Sequence, residues 1–381
     1  MSIINTKLPN VGSTIFSVMS QLAQEHNAIN LSQGFPDFEI DPLLKTYIVE
    51  AMNENQVQYA PAAGRLDLRI AIANSIHVNY NVVVNPKEEI TVVAGATQGI
   101  YTTIAALVNE GDEVIVFDPA YDCYDPAIRV HKGIPVHINL NSEDFSINWN
   151  ELNEKVSDKT KLIIVNNPHN PSGAVWNEND MLELRKLLSK HPQLFVLSDE
   201  VYEYITFKNQ HQSLLQDDLI RTRTFVASSF GKSLHVTGWK LGYVIAPKEL
   251  TKEFRKIHQY LVFCANNTMQ YGVAKYLVNG PDLSQIAAIY LKKRDLFLKG
   301  IENSRFKPLV CEGTYFVLLD YSEISDLSDV EFAKLMTTKY GVASIPISVF
   351  YEDGRDDKRI RICFAKEDET LIKASKLLCK I

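Results

Sequence analysis

No stretch of this chain approaches the roughly 20 consecutive apolar residues that a bilayer-spanning helix needs, so no membrane span is expected. Cysteine is scarce. The five cysteines, Cys123, Cys264, Cys311, Cys363 and Cys379, are odd in number and scattered, and none forms a CxxC pair. They read as reduced, mostly buried thiols in a reducing compartment, without a disulfide framework or a metal site. Positive charge is outnumbered, with 39 Lys and Arg against 46 Asp and Glu, a net charge of −7. That argues against a nucleic-acid binder that works by neutralising phosphates. The opening "MSIINTKLPN" has no basic run followed by an apolar one, so no signal peptide is expected. Repeats and low-complexity segments are also lacking. The expected setting is cytoplasmic and the class enzymatic.

The chain has 381 residues, too many for one small core, which favours one large domain and a smaller one. Its middle alternates short β-rich apolar runs with longer helical patterns. "EITVVAG" (89–95) leads into a helix-like stretch beginning at Ala96. "DEVIVFD" (112–118), "TKLIIVN" (160–166), "QLFVLSD" (193–199), "RTFVASS" (223–229) and "LGYVIAP" (241–247) follow. Near-continuous apolar strands suit a sheet covered by helices on both faces, an α/β architecture. Ligands of such sheets bind outside the C-terminal ends of the strands. From about Asp282 the texture changes to one long amphipathic helix, then "TYFVLLD", a helix in "DVEFAKLMTTKYG", "VASIPIS" and "RIRICFA", a smaller α+β unit. The reading places a large domain at 41–275. Residues 276–381 form the small one, with residues 1–40 packed on it and on the cleft.

Four motifs sit at strand ends. "AGATQG" (94–99) follows a strand and opens a helix, where small residues and the helix N-terminus favour an anion; an ordinary turn is the plain alternative. "NNPHNPSG" (166–173) is stiffened by two prolines and projects Asn170. In "LSDEVYEY" (197–204), Asp199 ends a very apolar strand and wants a cation or donor, although the motif alone slightly favours a helix N-cap. In "SSFGKSLHVTGWKLGY" (228–243), Ser228 and Ser229 end a strand, Lys232 follows, and Lys240 precedes another strand. Each lysine alone would default to a solvated charge. All four motifs are expected at the C-terminal edge of one parallel sheet. Together they offer an anion cradle, an amide, a carboxylate, a hydroxyl and two lysines. That set fits a phosphorylated pyridine aldehyde, whose carbonyl takes an amine.

With these motifs, "INLSQGFPDF" (29–38), "QYAPAAGRLDLR" (58–69) and "IRICFAKEDETL" (360–371), the chain resembles the fold-type I pyridoxal-phosphate enzymes over nearly its whole length. It is most similar to the class I/II aminotransferases, in the branch of methionine and kynurenine aminotransferases. The resemblance implies a mostly parallel seven-stranded sheet flanked by helices. It implies Lys232 as the Schiff-base lysine, and Ser229, Lys240, Ala96 and Thr97 around the phosphate. Tyr121 would stack on the pyridine ring, Asn170 and Tyr202 would donate to its 3′-oxygen, and Asp199 would pair with its nitrogen. Tyr59 would reach the phosphate of a neighbouring subunit, which implies a homodimer with shared sites. Arg361 would grip the substrate α-carboxylate, with a backbone contact from Gly34. Without the resemblance, Tyr59 would read as a core aromatic and Arg361 as a surface salt bridge.

The implied reaction passes the amino group of an L-amino acid to a 2-oxo acid in two half-reactions. Lys232 must be neutral to take the Cα proton, and nearby cationic charge is expected to depress its pKa. Phe35, Tyr101 and Phe263 are expected in the side-chain pocket, favouring methionine first, and also phenylalanine, kynurenine or glutamine, over aspartate. The alternative on the same scaffold is a cysteine-S-conjugate β-lyase. A cofactor-sensing regulator would need an output domain, and none is visible.

Overall fold

The structure is a computed structural model that describes residues 6–381. Residues 1–5, with the part of the leader reading and of the N-terminal segment that falls on them, lie outside the described residues.

Seven strands form the main sheet: β1 Ile90–Val93, β2 Glu113–Asp118, β3 Ile134–Asn139, β4 Thr160–Asn166, β5 Phe195–Asp199, β6 Thr224–Ser229 and β7 Gly242–Ile245. Their spatial order is β1-β7-β6-β5-β4-β2-β3. Neighbours from β6 through to β3 run parallel, and β7 is antiparallel to both β6 and β1. The apolar runs are explained by burial on both faces. Ile115, Ile163, Val196 and Val226 enter one core, while Val114, Leu162, Leu197 and Phe225 enter another on the opposite face. Strand β3, "IPVHIN", was not legible as a strand. It is an edge strand, half exposed, and the edge is where Pro135 is tolerated.

The antiparallel course of β7 changes how one motif reaches the site. Lys240 does not follow a strand but precedes β7. Because β7 runs backwards, its N-terminal end meets the C-terminal end of β6, with Gly242 opposite Ser229. Both lysines therefore arrive at the same sheet edge.

The smaller unit is a four-stranded antiparallel sheet of β8 Lys307–Pro308, β9 Phe316–Asp320, β10 Ile345–Pro346 and β11 Arg359–Cys363, in the order β10-β11-β9-β8. Helix Ile286–Gly300 is the long helix expected after Asp282. Helix Asp329–Tyr340 starts on a capping box between Ser328 and Glu331 and stops at Gly341, whose φ of 74° suits a residue without Cβ. "VASIPIS" does not make one strand: Val342–Ala343 instead pairs in parallel with Ile29–Asn30. That pairing ties the N-terminal segment to the smaller unit.

Candidate active site

A cavity of about 220 Å3 opens at the C-terminal edge of β4, β5 and β6, against β9 and β11. Gly34, Ala96, Thr97, Tyr121, Asn170, Asp199, Tyr202, Ser229, Lys232, Lys240 and Arg361 all line it. Residues spread over more than 300 positions are thus brought together. Phe35, Tyr59, Tyr101 and Phe263 are not among its lining. Tyr59 is 83% exposed in the single chain and its ring meets that of Phe263 edge-on. Tyr101 packs on His131, and Phe35 lies under the ammonium of Lys366 at 4.0 Å.

One end of the cavity is built for an anion. Gly95 adopts φ +82° just before helix Ala96–Leu107, and a Cβ there would lie 3.3 Å from Lys240 Nζ. Gly242 lets β7 pass beside the same helix end, where a Cβ would come within 3.2 Å of the Ala96 nitrogen. A helix N-terminus and an ammonium therefore face one space, next to the hydroxyl-bearing Ser229 and Thr97. Among the described residues no carboxylate forms an ion pair with Lys240.

The opposite requirement holds at Asp199. This carboxylate is buried at the end of β5. It accepts from Tyr124 Oη at 2.7 Å and from the Val201 N–H at 3.4 Å. Burial raises its pKa to about 6, opposed first by the Tyr124 hydrogen bond. The N-cap reading is corrected: no helix starts after Asp199, because residues 201–204 form turns. The next acids serve the scaffold behind it. Glu203 accepts from Ser228, Tyr80 and Tyr243, and Glu200 from Ser198 and His211, so the loop is held by a buried polar network.

Between these ends stands Asn170. Its backbone N–H donates to Asn166 Oδ1 at 2.8 Å, which fixes the loop after β4. Its own Oδ1 accepts from Arg361 Nη1 at 2.7 Å, leaving the Nδ2 protons free to donate elsewhere. Arg361, on β11, is fully buried; its Nη2 donates to the Ser32 carbonyl at 3.1 Å and its guanidinium lies 3.9 Å from the Phe316 ring centroid. Among the described residues it has no carboxylate partner, and its Nε is buried without any partner. A surface salt bridge is thus replaced by a buried cation that faces a cavity. Burial lowers its pKa, yet a guanidinium stays charged.

Lys232 sits in the one-turn helix Phe230–Ser233 that follows β6. Its Nζ donates to Tyr315 Oη at 2.9 Å. Desolvation lowers its pKa to about 8, with smaller pushes down from Arg361 and Lys240 and up from Cys363 and Asp199. Cationic neighbours were expected to be the cause; the absence of water is the larger one. Tyr124 and Tyr315 were missed. Tyr124 lies three residues after Tyr121, at the start of helix Tyr124–Val130, and Tyr315 stands in "TYFVLLD", read only as a strand.

The donor set fits pyridoxal phosphate on the structure's own terms. Among the described residues, Lys240 at the helix N-terminus has no carboxylate partner, the buried Asp199 has no ion-pair partner, and between them stands a lysine held away from water. The model of the family described as aminotransferase class I and II matches residues 26–376. A methionine aminotransferase of Escherichia coli is 45% identical over 375 residues, covering 98% of this chain and 97% of its own. A kynurenine–oxoglutarate transaminase of Dictyostelium discoideum is 34% identical, covering 97% and 94%. The crystal structure of a methionine aminotransferase from Escherichia coli matches the whole of both chains with a TM-score of 0.97 at 44% identity. No described helix is long and apolar enough to cross a membrane. Fold, cavity and kinship agree, and the chain belongs to the class I and II aminotransferases, enzymes that use pyridoxal phosphate to move an amino group between an amino acid and a 2-oxo acid.

Proposed function

We propose that this aminotransferase takes its amino group from an unbranched apolar or aromatic L-amino acid, methionine first among them. The carrying observation is the wall around Arg361. Phe16, Ile100, Tyr121 and Phe316 line the cavity, and beyond Arg361 its cations are Lys232 and Lys240. With those two assigned to the cofactor, no described residue lining the cavity answers a second carboxylate. The 45% identity to a methionine aminotransferase supports the same choice. Steady-state assays with methionine, phenylalanine, kynurenine and aspartate test it. Methionine and phenylalanine are expected to exceed aspartate in kcat/KM by roughly 10²-fold or more, since an unpaired buried charge costs several kcal/mol. Equal rates with aspartate would overturn the assignment.

In this reading Ala96, Thr97, Ser229 and Lys240 would hold the phosphate and Asp199 the ring nitrogen. Asn170 and Tyr202 donate to the 3′-oxygen, and Tyr121 covers the ring face. When bound, the cofactor supplies an aldehyde carbon for the amino group and a protonated ring that draws electrons from it. Arg361 orients the substrate by its α-carboxylate, beside Asn170 and the Gly34 backbone. Lys232, as the neutral amine, would take the proton from the substrate Cα and hold it inside the cavity for its return to the reacting molecule.

The lowered pKa gives a test in the cofactor-free chain. A neutral amine is the nucleophile, so below pH 8 its fraction falls about tenfold per unit. Capture of pyridoxal phosphate by Lys232, fixed with borohydride and located by peptide mass spectrometry, is expected to rise steeply to about pH 8 and level off by pH 9. An ordinary lysine would still be rising there.

We further propose a homodimer, division into domains at 41–275 and at 1–40 with 276–381, and a cytoplasmic setting. Helix Pro42–Asn53 packs on helix Asn267–Asn279, with Tyr271 Oη donating to Glu54 at 2.6 Å and Lys275 paired with Glu50, so the segment that starts at residue 41 is held to the large unit. Tyr59, Tyr260 and Phe263 leave an exposed aromatic edge that a second subunit would cover, and Phe35 and Tyr101 are left to a pocket completed by it. Sedimentation should show a dimer. Tyr59→Phe should weaken cofactor binding about tenfold or more, the cost of one charge-assisted hydrogen bond to phosphate. A monomer with full activity would end this reading.

A further inference from the structure

Tyr315 is fully buried, and its hydroxyl makes hydrogen bonds to Lys232 and Gly34, in different parts of the site, with the Tyr202 hydroxyl beside it. It donates to the Gly34 carbonyl at 2.8 Å and accepts from Lys232 Nζ at 2.9 Å. A phenol has one proton. With that proton committed to Gly34, the oxygen can meet Lys232 only as an acceptor. The amine must then spend one of its hydrogens on Tyr315, and its lone pair is turned away from the phenol. Among the described residues Lys232 Nζ makes no other hydrogen bond. The phenol itself is immobile, wedged edge-on against Tyr202 at 5.2 Å and Phe316 at 4.8 Å, with Tyr290 at 5.5 Å. Gly34 is pressed on the same group, since a Cβ there would come within 2.5 Å of Phe316.

We propose that Tyr315 is a positioning residue that aims the free amine of Lys232 into the cavity and couples its aim to the segment carrying Gly34. The phenol parks one N–H of Lys232, so the lone pair points where a proton or carbonyl carbon is met. Were the Gly34 carbonyl displaced, the phenol would lose its acceptor, and its proton could turn toward the amine and engage the lone pair. The state of the segment that borders the substrate is thereby read by the base. The inference rests on Lys232 being the reactive amine.

The test is Tyr315→Phe in the full chain, which removes one oxygen and keeps every ring contact, so the fold is expected to persist by circular dichroism and melting. In the cofactor-free protein, the rate of pyridoxal-phosphate capture by Lys232 is followed against pH. A hydroxyl acceptor favours the charged amine over the neutral one, so its loss should lower the midpoint by about 0.5–1 pH unit. Because the amine is then free to rotate, kcat with methionine should fall roughly tenfold while KM stays within about twofold. An unmoved midpoint overturns the proposal, whatever happens to kcat, because the hydroxyl would then not be acting on the amine. An unchanged kcat overturns it as well. If even the wild-type chain forms no adduct at Lys232, the underlying assignment of the amine has failed instead.

Discussion

Lys232→Ala is expected to lower transamination by at least about 10³-fold and to abolish the borohydride-fixed adduct, while the protein still binds pyridoxal phosphate non-covalently. The magnitude follows from two losses at one atom. In its proposed roles Lys232 is both the amine that captures the carbonyl carbon and the group that moves the proton from Cα; general-base catalysis alone contributes about 10²–10⁴-fold. Binding should survive because the anchors lie elsewhere: the N-terminus of helix Ala96–Leu107 and Lys240 at one end, Asp199 at the other. Structural damage should be small. Lys232 makes one hydrogen bond, to Tyr315, which keeps its own donor contact with Gly34. Equilibrium dialysis with cofactor, a half-reaction assay with methionine, and mass spectrometry after reduction separate the two outcomes. Near-normal turnover would remove Lys232 from the chemistry. Loss of cofactor binding together with turnover would make it an anchor and not a base.

How much of this was legible beforehand depended on whether a residue's partner lay in its own motif. The strands that are buried on both faces announced themselves, since Ile115, Ile163 and Val196 alternate with Val114, Leu162 and Leu197 between two cores. Strand β3 did not, because an edge strand with Pro135 and His137 carries no such pattern. The cavity-lining side chains Lys232, Asp199, Asn170 and Arg361 stood out, through strand ends or through the resemblance. What surrounds them did not. Tyr315 gains its meaning from Gly34, 281 residues away, and Arg361 from Asn170, 191 residues away, separations over which local pattern says nothing. The route of Lys240 into the site was also hidden. It depends on the direction of β7, and an apolar run reads the same in a parallel or an antiparallel strand. Asp199 was read too locally in the other sense. An acid before "EVYEY" resembles a cap, yet the backbone there turns instead of coiling, and the carboxylate is left for Tyr124.

Arg361→Ala is expected to reduce kcat/KM for methionine by roughly 10²–10³-fold or more, mostly through KM. A carboxylate entering beside Phe16 and Phe316 leaves water, and truncating one partner of a buried charge pair costs about 2–5 kcal/mol. Each 1.4 kcal/mol is about tenfold. Arg361→Lys should fall between the wild type and alanine. It keeps the charge, but an ammonium cannot bond Asn170 and the Ser32 carbonyl in one plane while offering a fork to the substrate, nor lie flat on Phe316. A general collapse of the site would also lower activity, so the deciding comparison is with an amine that has methionine's side chain and no carboxylate. The wild type should handle it poorly. Arg361→Ala should handle it no worse than the wild type does, because the missing guanidinium had nothing to pair with in that substrate. If the variant loses the carboxylate-free amine as severely as it loses methionine, Arg361 is holding Asn170 and the walls of the site, and the grip on the α-carboxylate must be sought elsewhere.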